Sequence, residues 1–165
     1  MGQSSPAKPA PDSATRVEPA LALAYRYIDR REHSVEEVRR HLDAKGVAPQ
    51  AVDEVLRLLV EQGQLDDARF ARLFAEDKRA LEGWGAERIR RGLIGRGIER
   101  EVAEAALAGA DAESELDRAL ALLRHRFQTP PGDRREREQA LGVLLRKGYE
   151  RELALDALAA FARGE

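Results

Sequence analysis

From Glu18 onward, apolar residues recur at three- and four-residue intervals, and no segment alternates strictly between apolar and polar. The pattern reads as helix throughout and as strand nowhere. The stretch Ala20 to Arg31, rich in Ala and Leu, opens the series. Ser34-Val35-Glu36-Glu37 follows with the spacing of a capping box, in which the Ser34 hydroxyl caps the helix and Glu37 reaches back. Val35, Val38 and Leu42 then share one face, and Gly46 stops the helix in the left-handed conformation that glycine adopts freely. Pro49 suits the first turn of the next helix, which carries Val52, Val55, Leu56 and Leu59 and ends at Gly63.

The same pattern returns twice. A basic–Gly–large apolar triplet occurs as Lys45-Gly46-Val47, Arg96-Gly97-Ile98 and Lys147-Gly148-Tyr149, each 51 residues after the last. A Leu stands four residues before each glycine (Leu42, Leu93, Leu144), an apolar residue eight before (Val38, Ile89, Ala140), and a Leu ten after (Leu56, Leu107, Leu158). A fixed period of this length marks a repeat architecture. The second unit opens at Asp66-Asp67, which suit N-caps, and carries Phe70, Leu73, Phe74 and Leu81 on its first helix. Gly83-Trp84-Gly85 breaks the chain; Val102, Ala106 and Leu107 line a third helix, and Gly109 closes the unit. The third unit starts near Asp111, turns Leu116, Leu120 and Leu123 inward, and has a loop and cap at Pro130-Pro131-Gly132-Asp133. Its second helix runs from about Arg134 to Lys147, and its last carries Leu153, Ala157, Leu158 and Phe161.

The expected fold is therefore all-α: an elongated array of three tandem three-helix repeats, helix-turn-helix-like, with nine helices. Residues 1–18 form a tail, and the repeats span 19–63, 64–109 and 110–165. Each unit has too few apolar residues to stand alone comfortably, so neighbours are expected to share a core. The tail holds Pro6, Pro9 and Pro11 without periodicity and is expected to be disordered.

Composition narrows the function. Charged residues are 35% of the chain, against about a quarter in ordinary domains. Aromatics are 5%, so Leu and Ala must supply the packing. There is no cysteine, which excludes disulfides and thiolate metal sites and suits a reducing compartment. No apolar run reaches 18 residues, and Met1 to Pro19 lacks the apolar centre of a signal peptide. A cytoplasmic monomer with no membrane partner is expected. A net charge of −2 gives no global attraction to nucleic acid.

Catalytic chemistry is not visible. Ser34 and Ser114 read as caps or surface residues, and His33, His41 and His125 lack metal-ligand spacing and are expected at the surface, His33 in a turn. Glu36-Glu37 and Asp66-Asp67 stand at helix starts, where capping and the helix dipole explain them better than acid–base work. Gly92, Gly95 and Gly97 follow no strand and make no phosphate loop. The chain is expected not to be an enzyme and to need no metal and no cofactor. Trp84 is expected to fold onto the first helix of its own unit.

Arginine outnumbers lysine 24 to 4, which favours bidentate contact with phosphate or carboxylate, although biased codon composition has the same result. Arg39-Arg40 and Arg90-Arg91 occupy equivalent positions, 51 residues apart. The third unit has Leu141-Gly142 there and places Arg134, Arg135 and Arg137 one turn earlier. Other clusters are Arg30-Arg31, Arg88 with Arg100, and Arg124-His125-Arg126. They form either an interrupted basic stripe or a solvated face balanced by Glu36, Glu37, Asp43, Glu87 and Glu99. Lys45, Arg96 and Lys147 stand at helix ends, where a cation offsets the dipole.

Three segments resemble the RecX family. Ala24-Tyr25-Arg26-Tyr27-Ile28-Asp29-Arg30-Arg31-Glu32-His33-Ser34, running into Glu37-Val38 and Leu42-Asp43-Ala44-Lys45-Gly46, is similar to its opening. Gly63-Gln64-Leu65-Asp66-Asp67-Ala68-Arg69-Phe70-Ala71 is similar to its central signature, and Ile89 to Ile98 to its second repeat. The family's usual basic residues before the second-unit helix are replaced by Gly83-Trp84-Gly85-Ala86, and its acid-Leu pair by Gly92-Leu93. The resemblance implies a non-enzymatic regulator that binds the RecA filament on single-stranded DNA, lies along its groove, and inhibits strand exchange and ATP hydrolysis. The candidate partner-binding residues, for RecA or locally for DNA, are Arg30, Arg31, Arg39, Arg40, Arg88, Arg90, Arg91, Arg124, Arg126, Arg134 and Arg135. The alternative is a non-sequence-specific DNA-binding protein built from helix-turn-helix-like repeats.

Overall fold

The Ser34 side chain accepts a hydrogen bond from the Glu37 N–H at 3.1 Å, and the Glu37 carboxylate accepts one from the Ser34 N–H at 3.2 Å. The capping box written in the sequence thus starts a helix at the next residue. A computed structural model of the chain describes residues 16–108 and 114–164. Among them are nine helices and no strand: α1 Val17–Ile28, α2 Val35–Ala44, α3 Pro49–Glu61, α4 Asp67–Glu82, α5 Ala86–Gly95, α6 Arg100–Ala108, α7 Glu115–Arg126, α8 Arg134–Lys147 and α9 Arg151–Arg163. Val17 and Glu18, placed in the tail above, already belong to α1. The rest of that tail to residue 15, with Gly109 and Asp111, lies outside the described residues.

The chain divides into two compact units, one up to Asp66 and one from Asp67. In the first, α1, α2 and α3 surround Ala24, Val38, Leu42, Val52, Val55 and Leu59, all fully buried. Gly46 ends α2 at φ 75°, and Pro49 opens α3. Burying a Leu or Val side chain contributes about 1.5–3 kcal/mol, so these few residues supply most of what holds the bundle.

The second unit holds two clusters. Phe70, Ala71, Ile89, Leu93, Ile98 and Ala103 close α4, α5 and α6, while Ala119, Leu123, Ala140, Leu144, Ala157 and Phe161 close α7, α8 and α9. Ser114 caps α7 with a second capping box, and the Asp133 side chain caps α8. Leu81, in the last turn of α4, is 81% exposed and contributes to neither cluster.

Helix α5 starts differently. The 51-residue ruler puts Gly85 where α2 has Ser34 and Arg88 where it has Glu37, so no capping box exists. The end of α8 supplies the missing acceptors. The Gly85 N–H donates to the Lys147 carbonyl at 2.8 Å and the Glu87 N–H to the Gly148 carbonyl at 3.0 Å. The Ala86 N–H donates to Glu115 Oε1 at 2.6 Å. The negative end of α8 thereby meets the positive end of α5. Arg88 Nη1 donates to the Arg146 carbonyl at 3.0 Å, and Lys147 Nζ to the Glu82 carbonyl at the end of α4 at 2.6 Å. Two glycines allow this approach. A Cβ on Gly85 would lie 2.6 Å from the Gly148 oxygen, and one on Gly148, at φ +90°, would lie 2.2 Å from Arg88 Cβ.

Candidate partner-binding surface

The two equivalent arginine pairs divide their work in the same way. On α2, Arg39 Nη1 pairs with Asp53 Oδ1 of α3 at 2.8 Å, and its Nε lies 3.9 Å from Glu36. On α5, Arg90 Nε pairs with Glu104 Oε1 of α6 at 2.6 Å, and its Nη1 with Glu87. All three positions, the acid, the arginine and the carboxylate on the next helix, are 51 residues apart between the bundles. Each arginine is therefore a clasp between the second and third helices of its bundle. The hydrogen bond from Arg90 holds the Glu104 carboxyl below the usual carboxylate range, and the same bond pushes Arg90 up. A solvated clasp of this kind contributes about 0.2–1 kcal/mol.

The second member of each pair points outward. Arg40 is 58% exposed, with its Nε on Glu36 of the same helix at 2.9 Å. Arg91 is exposed, and its Nε reaches the Glu87 carbonyl of its own turn at 3.4 Å.

The remaining candidates scatter. Arg30 is exposed just beyond α1, and Arg31 donates to the Glu32 carbonyl at 3.0 Å and reaches Glu37 at 3.4 Å. Arg88 belongs to the α5–α8 joint and lies over the Trp84 ring at 4.2 Å. Arg124 and Arg126 are exposed in the last turn of α7, where their charge offsets the helix dipole. Arg134 pairs with Glu138 at 2.9 Å, and Arg135 is exposed. Trp84 is packed as expected, edge-on to Phe74 at 6.3 Å with Lys78 over its ring at 4.7 Å. Of the helix-end cations, Arg96 reaches back to the Gly92 carbonyl at 2.9 Å, whereas Lys147 serves α4 rather than its own helix.

His33 is not a surface residue. It is 3% exposed, and its ring stacks on Tyr27 at 4.0 Å while His41 stacks on Tyr27 from another side at 3.9 Å. His33 Nδ1 lies 3.2 Å from Glu37, the same carboxylate that completes the capping box. Burial pushes the His33 pKa down, Arg31 adds to this, and Glu37 opposes it; burial and then Lys45 lower His41. The four-residue step from His33 to Glu37 was the available signal, and counting metal ligands could not reveal it.

Two further features had no mark in the charge pattern. A cleft of about 580 Å³ beside α4 and α7 is lined by Glu76, Arg79, Arg118, His125 and Tyr149, two arginines against one carboxylate. A second cleft, of about 540 Å³, lies on the last bundle between α8 and α9. Among the described residues no cluster of His, Asp and Glu could hold a metal, and no helix is long and apolar enough to cross a membrane.

Comparison with known proteins bears on the whole arrangement. Residues 20–57 match the family description "RecX, first three-helix domain", and residues 66–107 match "RecX, second three-helix domain". Over 164 residues the chain is 32% identical to the regulatory protein RecX of Mycobacterium sp. (strain JLS), covering 95% of this chain and 90% of that one. Over 137 residues it is 35% identical to the regulatory protein RecX of Xanthomonas campestris pv. campestris (strain B100), covering 82% and 81%. The crystal structure of RecX from Lactobacillus salivarius has a similar fold, with a TM-score of 0.79 at 17% identity over 90% of this chain and 97% of that one.

Proposed function

The chain belongs to the RecX family of regulatory proteins, and from that premise we propose that it binds the RecA filament on single-stranded DNA and restrains strand exchange and ATP hydrolysis. It acts by binding, without catalysis and without a cofactor, as a cytoplasmic monomer. The observation that carries this reading is the pair Arg40 and Arg91. Each stands one residue after a clasp arginine, at equivalent places in two bundles, and each is exposed, Arg40 with an ion pair to Glu36 of its own helix and Arg91 with a bond to the Glu87 carbonyl. A partner that repeats along a filament can meet such equivalent cations one after another. Contacts of this kind are individually weak and lose strength with salt. The net charge of −2 favours a protein partner, with DNA touched only locally.

The test is RecA ATPase on single-stranded DNA, titrated with the chain below saturating RecA. The rate is expected to fall with the wild type and to fall much less with Arg40→Glu/Arg91→Glu, at unchanged melting temperature. No effect of the wild type at stoichiometric amounts would overturn the proposal. Submicromolar binding of labelled DNA in the absence of RecA, with a steep salt slope, would favour the DNA-binding alternative instead.

A further inference from the structure

The last bundle breaks the clasp rule. The 51-residue ruler places Leu141 where the first two bundles have Arg39 and Arg90, and Leu155 where they have Asp53 and Glu104. The acid of the triad survives as Glu138, but with Leu141 beside it the carboxylate turns back to Arg134 at 2.9 Å. A polar bridge on the surface of two bundles is thus an apolar pair on the third. Leu141 packs, partly buried, against the core of its own bundle, but Leu155 does not. Leu155 remains 47% exposed and stands outside the cluster built on Leu123, Ala140, Leu144 and Ala157.

Leu141 and Leu155 both line the cleft between α8 and α9. Leu158 and Ala159 extend its apolar wall, and Arg134 and Arg137 stand at its edge with Glu138. Its volume, about 540 Å³, falls within the range of functional pockets. A groove between two helices that is apolar inside, with a rim of net positive charge, is the complement of one common ligand shape: an amphipathic helix with a Leu stripe flanked by carboxylates. We propose that the α8–α9 groove docks an acidic amphipathic helix of a partner protein. The stripe enters over Leu141 and Leu155, and its carboxylates meet Arg137 and compete with Glu138 for Arg134. This contact is apolar and short-ranged, unlike the arginine contacts proposed above, and it stands whether or not the filament is the partner.

The test uses the full chain and labelled helical peptides of roughly 18 residues, long enough to hold a helix. One carries a Leu stripe with Glu on its flanks, the second has the same composition scrambled, and the third has Lys for Glu. The acidic amphipathic peptide is expected to bind at least about tenfold tighter than either control. L141R/L155E rebuilds the clasp of the sister bundles and fills the groove; it should weaken that peptide by about tenfold or more, and because Leu141 packs on the core its melting temperature is measured alongside. Leu155→Ser changes an exposed side chain that cannot unfold the bundle, and should weaken binding in the same direction. Absence of binding, equal binding of scrambled peptide, or binding untouched by both variants would overturn the proposal. Self-association of the wild type that L141R/L155E abolishes would also overturn it, by giving the groove to a second copy.

Discussion

His33 carries the most information per residue in this chain. Its ring closes a small assembly: Tyr27 lies between two imidazoles, and Glu37 serves both the His33 ring and the Ser34 backbone. Burial holds its folded pKa below the ordinary 6.5, so the unfolded chain takes up a proton first as the solution is acidified. Stability should be constant in this respect above about pH 6.5 and should fall as pH drops through the folded value. Urea titrations at about pH 7.5 and 5.5 check this: the wild type is expected to lose more stability across that interval than His33→Gln. Equal losses would show that the imidazole is not coupled to folding. The sequence made the capping box legible because its spacing is local, but it could not show that a neighbouring histidine uses the same carboxylate, since burial is a property of the closed bundle.

At the scale of elements, the helices follow from local rules. Ser34, Ser114 and Asp133 start theirs with side-chain caps, and Gly46 and Gly148 end theirs at positive φ. The arginine pairs were the ambiguous case, open to reading as a stripe or as a solvated face. One residue of each pair, Arg39 or Arg90, engages the next helix, and the other, Arg40 or Arg91, is exposed. Sequence alone could not separate them, because adjacent residues on a helix differ by about 100° in direction and only the neighbouring helix decides which is engaged. The clasp makes a quantitative claim. Arg90→Glu places like charge beside Glu104 and Glu87 and should lower stability by about 1 kcal/mol. Glu104→Arg in the same chain should recover much of that loss. A double-mutant cycle in denaturant measures it, and a coupling of zero would mean the pair is ornamental.

For the whole molecule, the joint between α5 and α8 matters most. The repeat glycine had one meaning in the sequence, a helix stop, yet its three copies do not share one task. Gly46 has nothing within 4 Å of a built Cβ, while Gly148 would drive its Cβ into Arg88. Gly46→Ala should therefore cost only the left-handed strain, about 1–2 kcal/mol. Gly148→Ala adds steric overlap and should cost at least about 3 kcal/mol. Hydrogen exchange would show the reach of that cost, with faster exchange in α4–α6 as well as in α7–α9. Acceleration confined to α7–α9 would argue that the two bundles of this unit open separately. The departure at Gly83-Trp84-Gly85-Ala86 was legible as an anomaly, and only the fold shows that a missing cap in one bundle is answered by the end of a helix far along the chain.

That answer has a consequence during synthesis. Arg88 and its acceptor Arg146 are 58 residues apart, and α5 has no side-chain cap of its own. A ribosome takes about 3–12 s to add that much chain. The first bundle, whose caps and core all come from residues before Asp66, can close during this time. The second has its apolar residues in place, but the start of α5 gains its backbone acceptors only when the end of α8 has been made.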